Sequence, residues 1–465
     1  MSQSTSPAII TIDTPTLGDR SYVVHDGTVA VVIDPQRDLD RVMEHVDEAG
    51  VRVTHVLETH LHNDYLTGGL ALAKATGAAY LVNGADEVSF ERTPIADGDV
   101  IEISPTMRIR VIATPGHTFT HLSYALESAP EEGAEFDSVG VFTGGSLLFG
   151  ATGRPDLLGE EHTHELVHHQ FASAHRLAAE LPEHTQVLPT HGFGSFCAAG
   201  STSGSSESTI GTEKLQNPAL TQDEEQWVAD IFAGLDDYPA YYVHMSPGNS
   251  EGPSAADLSA PESVDKDTLA ARIADREWVI DLRTRTAFAA GHVTGTLNFG
   301  VDGQFATYLG WLIPWDAPLT LLGKSPEQVA EAQRELARIG MDAITGAATG
   351  SPQDWTDGSL RSYERASFAD AAQVRHHRPV AILDVRRASE YADGHVEGST
   401  NVPLHELLNR IDDVPSGEVW VHCASGYRAS IAASVLAGHK VPVVLIDDSY
   451  DESAEKSGLP LTASN

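Results

Sequence analysis

At 465 residues the chain is too long for one ordinary domain and is about the length of three. Hydrophobic residues make up 41% and charged residues 21%, a globular composition rather than a disordered or fibrous one. Its 29 Lys and Arg against 67 Asp and Glu give a net charge of −38, a field that repels phosphate backbones and anionic lipid heads, so neither nucleic acid nor a membrane is an expected partner.

The first seven residues, Met-Ser-Gln-Ser-Thr-Ser-Pro, show no basic region followed by an apolar core. No apolar run approaches the roughly 20 residues a bilayer span needs. A cytoplasmic location is expected. Strands are predicted over Ile9–Ile12, Ser21–His25, Thr28–Ile33 and Val51–Leu57, with a helix over Asp38–Ala49. The Val51–Leu57 strand runs into Thr59-His60-Leu61-His62-Asn63-Asp64-Tyr65, Arg108–Ala113 into Thr114-Pro115-Gly116-His117-Thr118, and Gly140–Phe142 into Thr143-Gly144-Gly145-Ser146. After a long helix over Thr163–Leu181, a strand at Gln186–Leu188 precedes Pro189-Thr190-His191-Gly192. Strands that repeatedly end in His- or Gly-bearing loops imply packed sheets with polar chemistry along one rim. Ala198–Ser208 reads as a surface loop, Asp223–Gly234 as a helix, and Ser246–Ser263, rich in Ser, Pro, Gly and Ala, as an interdomain linker.

Beyond the linker lies an internal repeat. Ile280-Asp281-Leu282-Arg283 returns as Leu383-Asp384-Val385-Arg386, Gly291-His292-Val293 as Gly394-His395-Val396, and Asn298 as Asn401, always 103 positions on. Gly346–Asp357 separates the two copies. In the second, strand Glu418–His422 leads to Cys423-Ala424-Ser425-Gly426-Tyr427-Arg428 and a helix-prone Ala429–Ala437. A cysteine at a strand-to-helix turn lies beneath the unpaired N–H groups of the first helical turn, which together with Arg428 favour an anionic sulfur. The chain's two cysteines, Cys197 and Cys423, exclude a disulfide framework and a four-thiolate zinc site.

On Asp384-Val385-Arg386, Glu390-Tyr391, Gly394-His395-Val396 and the Cys423–Arg428 loop, the second copy resembles a rhodanese domain. The resemblance implies that Cys423 accepts a sulfane sulfur as a persulfide, with Ala424, Ser425, Gly426 and Tyr427 as the cradle, and passes it to sulfite, cyanide or a thiol. Asp384 and Arg386 are expected to be structural. In the first copy Leu319–Leu322 aligns with Val419–His422 and puts Gly323 where Cys423 stands, so no persulfide can form there.

Imidazoles gathered at a sheet rim suit zinc or iron. Here they are His60 and His62 on an extended i, i+2 segment, with His117 and His191 from other strand ends. Their order, with Gly68, Pro115–Thr118, Phe142–Gly144, Gly153-Arg154-Pro155-Asp156 and Thr190–Gly192, resembles the metallo-β-lactamase fold, and within it glyoxalase II and the persulfide dioxygenases. That likeness implies mononuclear iron oxidising a persulfide to sulfite. Two positions depart from the pattern: Tyr65 closes the His-x-His-x-Asp-His motif, and Gly145 replaces the metal-binding Asp. His60, His62 and His117 are the expected ligands of one metal, iron(II) first and zinc second, with a metal-free domain left open. Asp64, Tyr65, Gly145 and His191 are its expected neighbours. Cys197 is either a small apolar filler or a second thiol held over the metal edge. His164, His168 and His175 are expected on a solvated helix face.

The expected fold is therefore α/β and multidomain. A metallo-β-lactamase αββα sandwich with a helical extension covers residues 1–245, and a linker over 246–263 follows it. A rhodanese-like copy lacking its cysteine covers 264–350 and a rhodanese domain 358–465, both with parallel sheets. The expected function combines persulfide dioxygenation with sulfur transfer through Cys423, acting on a low-molecular-weight persulfide or thiol (glutathione or another carrier) and on sulfite or thiosulfate. The alternatives are a sulfurtransferase, or a persulfide sensor, whose N-terminal domain is silent because of Gly145 and Tyr65. Hydrolysis of a glutathione thioester ranks last. Homo-oligomerisation is left open.

Overall fold

The computed structural model describes residues 6–200 and 202–463. Met1–Thr5 of the segment read for a leader, Ser201 of the predicted loop and the last two residues lie outside them. The chain divides into two units. One ends at Ala256 and takes in Ala337–Gly340, and the other runs from Asp257 onward apart from those four residues.

In the first unit, β-branched runs pair edge to edge. Ala8–Thr14, Asp19–His25, Val29–Ile33, Arg52–Leu57, Ala79–Asn83 and Thr93–Ile95 form one sheet in sequence order. The second sheet runs in the order Ser208–Thr209, Gln186–Pro189, Asp137–Gly144, Leu122–Ser128, Met107–Ala113, Val100–Ser104. Alternate side chains of both sheets meet in one core, with Tyr22, Val31 and Leu57 against Ile109, Tyr124 and Phe142. The outer faces carry helices. Leu39–Ala49 presents Val42 and Val46, one turn apart, to Val23, Val32 and Val56. Glu160–Glu180 lays Val167, Ala174 and Leu177 over Val141 and Val187. This is the αββα sandwich.

Two segments differ from the sequence expectation. Tyr242–Glu251 is helical through Pro247 into the segment read as linker, burying Met245 and Asn249 before Gly252 turns left-handed at φ 82°. Its Pro and Gly content hid a helix that is fixed by tertiary hydrogen bonds rather than by propensity. In the predicted loop, Ala198–Ala199 pairs with Thr152–Gly153, and Ser208 begins an edge strand.

The second unit holds two all-parallel sheets. Leu297–Asn298, Trp278–Asp281, Leu319–Gly323 and Ile344–Thr349 make the first. Glu364–Ala366, Val443–Ile446, Val419–His422, Ala381–Asp384 and Thr400–Asn401 make the second. The repeat extends to the polar skeleton. Arg283 bonds Asp281 and the Gly291 carbonyl, as Arg386 bonds Asp384 and the Gly394 carbonyl. Asn298 donates to the carbonyls of Asp281 and Arg283, and Asn401 to those of Asp384 and Arg386. Asp384 and Arg386 thus tie the turn after the strand.

Candidate functional site

Parallel strands that stop together leave their following loops side by side. In the first unit the loops after Ile33, Leu57, Ala113, Gly144 and Pro189 converge, and His60, His62, His117, His121 and His191 all become buried there. His60 is the hub: its ring lies 4.1 Å from that of His62, 4.9 Å from His117, 4.9 Å from His121 and 5.4 Å from His191. Its Nε2 is 3.4 Å from His191 Nε2.

Carboxylates behind the rings set their charge. His191 Nδ1 lies 2.9 Å from Asp19 and 3.1 Å from Asp64, and these two carboxylates, working against burial, push the imidazole up to about 10. Burial likewise opposes charge on His62, yet Asp34 at 3.3 Å and Glu58 at 3.5 Å push it up to about 9. His60 and His117 have no such support. Burial, then the neighbouring imidazoles, hold His60 well below its ordinary value, and burial with His191 takes His117 down to about 3. Asp34 is the keystone of the rim. It adopts a left-handed φ of 51°, tolerated by Asp, and accepts from the Thr59 amide at 2.7 Å, the Thr59 hydroxyl at 2.8 Å and the Thr190 hydroxyl.

Tyr65 does not face a ligand space. It is fully buried, stacks on His62 at 4.3 Å and places its hydroxyl 2.9 Å from His62 Nε2, while His62 Nδ1 is left without a hydrogen-bond partner. Gly145 is not a gap that a carboxylate could refill: a Cβ there would meet His117 Cδ2 at 2.3 Å, because the His117 ring lies against Gly145 and Gly153. His117 Nδ1 bonds the Arg154 carbonyl at 2.8 Å, while the Arg154 amide bonds the Cys197 carbonyl and its guanidinium grips Asp156. The Gly153–Asp156 motif therefore orients both His117 and the Cys197 turn.

Cys197 comes to the cluster, with its sulfur within 4.8 Å of ring nitrogens of His117 and His191. Burial, then Asp64 and Asp19, push this thiol well above its ordinary value. The expected trio of His60, His62 and His117 is not the tightest grouping. His60, His62 and His191 bring ring nitrogens within 4.8 Å of one another, and His191 is shared with His117 and Cys197. Polar atoms of the cluster that are buried without a hydrogen-bond partner include His62 Nδ1, His117 Nε2, Asp19 Oδ2, Asp64 Oδ1 and Glu58 Oε2. Such orphans each cost about 1–3 kcal/mol, and a cation among them removes that cost. The donors thus fit a metal held mainly by imidazole.

Sequence reasoning missed Asp19, Asp34, Glu58, His121 and Asn249. Asn249 donates to the carbonyls of His62 and Tyr65 and accepts from the Thr67 amide, clamping the motif from the helix read as linker. His121, four residues after His117, accepts from the Gly145 amide at 3.0 Å. His164, His168 and His175 stay outside the cluster; His168 pairs with Glu224 at 2.7 Å on the surface.

The second site is compact. Cys423 follows Val419–His422 and is 1% exposed, its Sγ accepting from the Gly426 amide at 3.1 Å. Gly426 is left-handed at φ 93°, and a Cβ there would strike Asp447 Oδ1 at 2.3 Å, so only glycine lets the loop curl over the sulfur. Arg428 grips Glu390 through two bonds of 2.6 and 2.8 Å, and against burial that guanidinium takes Glu390 down to about 2. In the first copy Leu322 pairs with Asp281 as His422 pairs with Asp384, which puts Gly323 in the register of Cys423.

Comparison with known proteins agrees with these two architectures. Residues 367–456 match the rhodanese-like domain family. The structure of a metallo-beta-lactamase from Staphylococcus aureus subsp. aureus COL superposes with a TM-score of 0.65 at 26% identity, covering 75% of this chain and 99% of that one. The chain joins a metallo-β-lactamase-fold N-terminal region to a rhodanese-like domain. More particularly, the mitochondrial persulfide dioxygenase ETHE1 of Bos taurus is 29% identical over 46% of this chain and 72% of its own length. A hydroxyacylglutathione hydrolase of Polaromonas sp. is 29% identical over 35% of this chain, which spans only 57% of that relative. Among the described residues no helix is long and apolar enough to cross a membrane.

Proposed function

We propose that the chain is a persulfide-processing enzyme that pairs metal-assisted persulfide oxidation in the first unit with sulfur transfer through Cys423 in the second. The observation that carries the reading is the Cys423 loop: a buried thiol at a strand-to-helix turn, with a backbone N–H on its sulfur and Arg428 locked beside it. Thiosulfate loads it when the Cys423 thiolate attacks the outer sulfur; the S–S bond breaks, sulfite leaves with the electron pair, and a cysteine persulfide remains.

In the first unit His60, His62, His117 and His191 would hold the metal, with Cys197 at its edge. A bound iron ion supplies the one-electron chemistry through which oxygen reacts with a persulfide. The overall reaction takes one persulfide, one oxygen molecule and one water to a thiol, sulfite and protons. The protein's own groups orient the donors: Asp19 and Asp64 turn His191, Tyr65 and Asp34 turn His62, and the Arg154 carbonyl turns His117. The relatives named for persulfide dioxygenation support this half, and a glutathione-type persulfide or thiol is its small-molecule partner.

The Gly145–His117 contact favours one rival, a sulfurtransferase whose first unit is catalytically silent. Metal analysis separates the two. Close to one iron per chain, lost in His191→Ala, with oxygen uptake on a persulfide, is expected. Metal below about a tenth of an equivalent, under conditions that retain iron, favours the rival. After incubation with thiosulfate, mass spectrometry should show one added sulfur on Cys423, and its absence would remove the sulfurtransferase half.

A further inference from the structure

The backbone of Arg154 holds two side chains at once. Its carbonyl meets His117 Nδ1 at 2.8 Å, and its N–H donates to the Cys197 carbonyl at 2.8 Å. Cys197 is tied on its other side as well: its own amide donates to Ser195 Oγ at 3.1 Å, and the next residue, Ala198, pairs with Gly153. With the main chain fixed from both sides, the side chain is aimed inward. It is fully buried, and its Sγ lies within 4.8 Å of ring nitrogens of both His117 and His191.

A sulfur that merely fills space sits among apolar side chains. This one has imidazoles for neighbours, and the Tyr242 hydroxyl at 3.9 Å. His117 spends Nδ1 on the Arg154 carbonyl, so Nε2 is the nitrogen it has for an ion, and that Nε2 is buried without a hydrogen-bond partner. His191 turns Nδ1 to Asp19 and Asp64, and its Nε2 stands 3.4 Å from His60 Nε2. An imidazole whose far nitrogen is fixed by a carbonyl or a carboxylate is the usual state of a metal-bound histidine. An anionic ligand is still wanted. Gly145 cannot supply it, since a Cβ there would meet His117 Cδ2 at 2.3 Å, and Asp19 and Asp64 stand behind His191 on its Nδ1 side. The acidic group that clusters with His117 is Cys197.

We propose that Cys197 is a metal ligand, its thiolate joining His117 and His191 on the ion of the first unit in place of the carboxylate that Gly145 lacks. This rests on the reading that the first unit holds a metal. Thiolate and imidazole together suit zinc and iron. The thiol gives up its proton to solvent as the ion binds, and no oxidant or reductant is consumed. The chain's two thiols then have separate duties. Cys423 keeps its sulfur lone pairs for sulfane sulfur, while Cys197 commits one to the ion and is not a second sulfur carrier.

The test loads the full chain with cobalt(II) and reads its absorption spectrum. A coordinated thiolate gives cobalt(II) an intense near-ultraviolet charge-transfer band that imidazole and carboxylate do not. In Cys423→Ser, Cys197 is the one remaining thiol, and the band is expected there as in wild type. Cys197→Ser should lose it completely and bind cobalt more than about 100-fold less tightly, because the outer partners of a ligand alone are worth about 10–100-fold. Cobalt bound at about one per chain in Cys423→Ser without the band overturns the proposal, and this variant decides even if Cys197→Ser does not fold. A band that Cys423→Ser removes and Cys197→Ser keeps also overturns it, because the thiolate is then Cys423. A wild-type chain that takes up no cobalt, iron or zinc fails the metal reading itself, and elemental analysis separates that result from the loss of the band alone.

Discussion

The two rhodanese-like copies share a polar skeleton and part at the loop that follows their matching strands Leu319–Gly323 and Val419–His422. Both use a buried Asp–Arg pair, an Asn bridging two carbonyls, and a His whose Nδ1 lies 2.8–2.9 Å from the carbonyl four residues back. At the loop they part. Where one has Cys423, Glu390 and Arg428, the other has Gly323, Ala287 and Gln328. Gln328 turns inward: its Oε1 accepts from the Lys324 amide at 2.8 Å and its Nε2 donates to the Leu282 carbonyl at 3.0 Å. The Lys324 amide is thus already occupied, and the counterpart of the Gly426 amide is Pro326, which has no N–H to offer. Skeleton and chemistry are separable, and a copy can lose its sulfur chemistry while keeping its fold.

The largest effect should come from the thiol. Cys423→Ser should lower thiosulfate-dependent transfer on the order of 10³-fold or more, while Gly323→Cys should restore none of it in that background. Mass spectrometry of both variants after donor treatment checks this. An added sulfur on residue 323 would show that Gln328 and Ala287 do not silence the first copy, and the comparison would break.

The shared skeleton should be costly in both copies. Asp281→Ala and Asp384→Ala each leave a largely buried guanidinium with a backbone carbonyl but no carboxylate, a loss of up to about 3–5 kcal/mol that denaturant unfolding can read. Similar costs are expected because Asp281 and Asp384 are both fully buried. A first copy that tolerates Asp281→Ala at under about 1 kcal/mol would show a skeleton that has relaxed along with its lost site.

What could be read from the chain alone follows the range of each interaction. The His60–Tyr65 segment, the Pro115–Thr118 turn and the Cys423 loop were legible because each is a local strand-end motif, and the repeat was legible because its spacing is fixed. Asp34, Glu58 and Asp19 were not. Each is an ordinary acid in sequence; Asp34 and Asp19 join the cluster only when segments 25 and 172 positions apart close together, and Glu58, four residues before His62, carries no local mark of the pairing. Asn249 lay in a stretch whose Pro and Gly content reads as linker, and nothing local announces that its amide closes on His62 and Tyr65. His121 alone left a trace, a second His one turn beyond His117.

The smallest effect is acid sensitivity confined to the active copy. Glu390 is held near 2, below the ordinary 4.5, by Arg428 against burial. A carboxylate depressed on folding contributes stability that is complete above about pH 4.5 and is lost as pH falls toward 2. Because the pair is partly exposed, that contribution is about 1–2 kcal/mol after screening. Glu390→Gln should therefore unfold earlier in denaturant at pH 6 but no earlier than wild type near pH 2, the two curves converging through that window. The first copy, with Ala287 at this position, has no such pair to lose, so near-neutral stability of the chain carrying Ala287→Glu should not rise. Parallel curves for wild type and Glu390→Gln from pH 6 to pH 2 would mean that Arg428 is fixed by packing rather than by charge, and the difference between the copies would then rest on Cys423 alone.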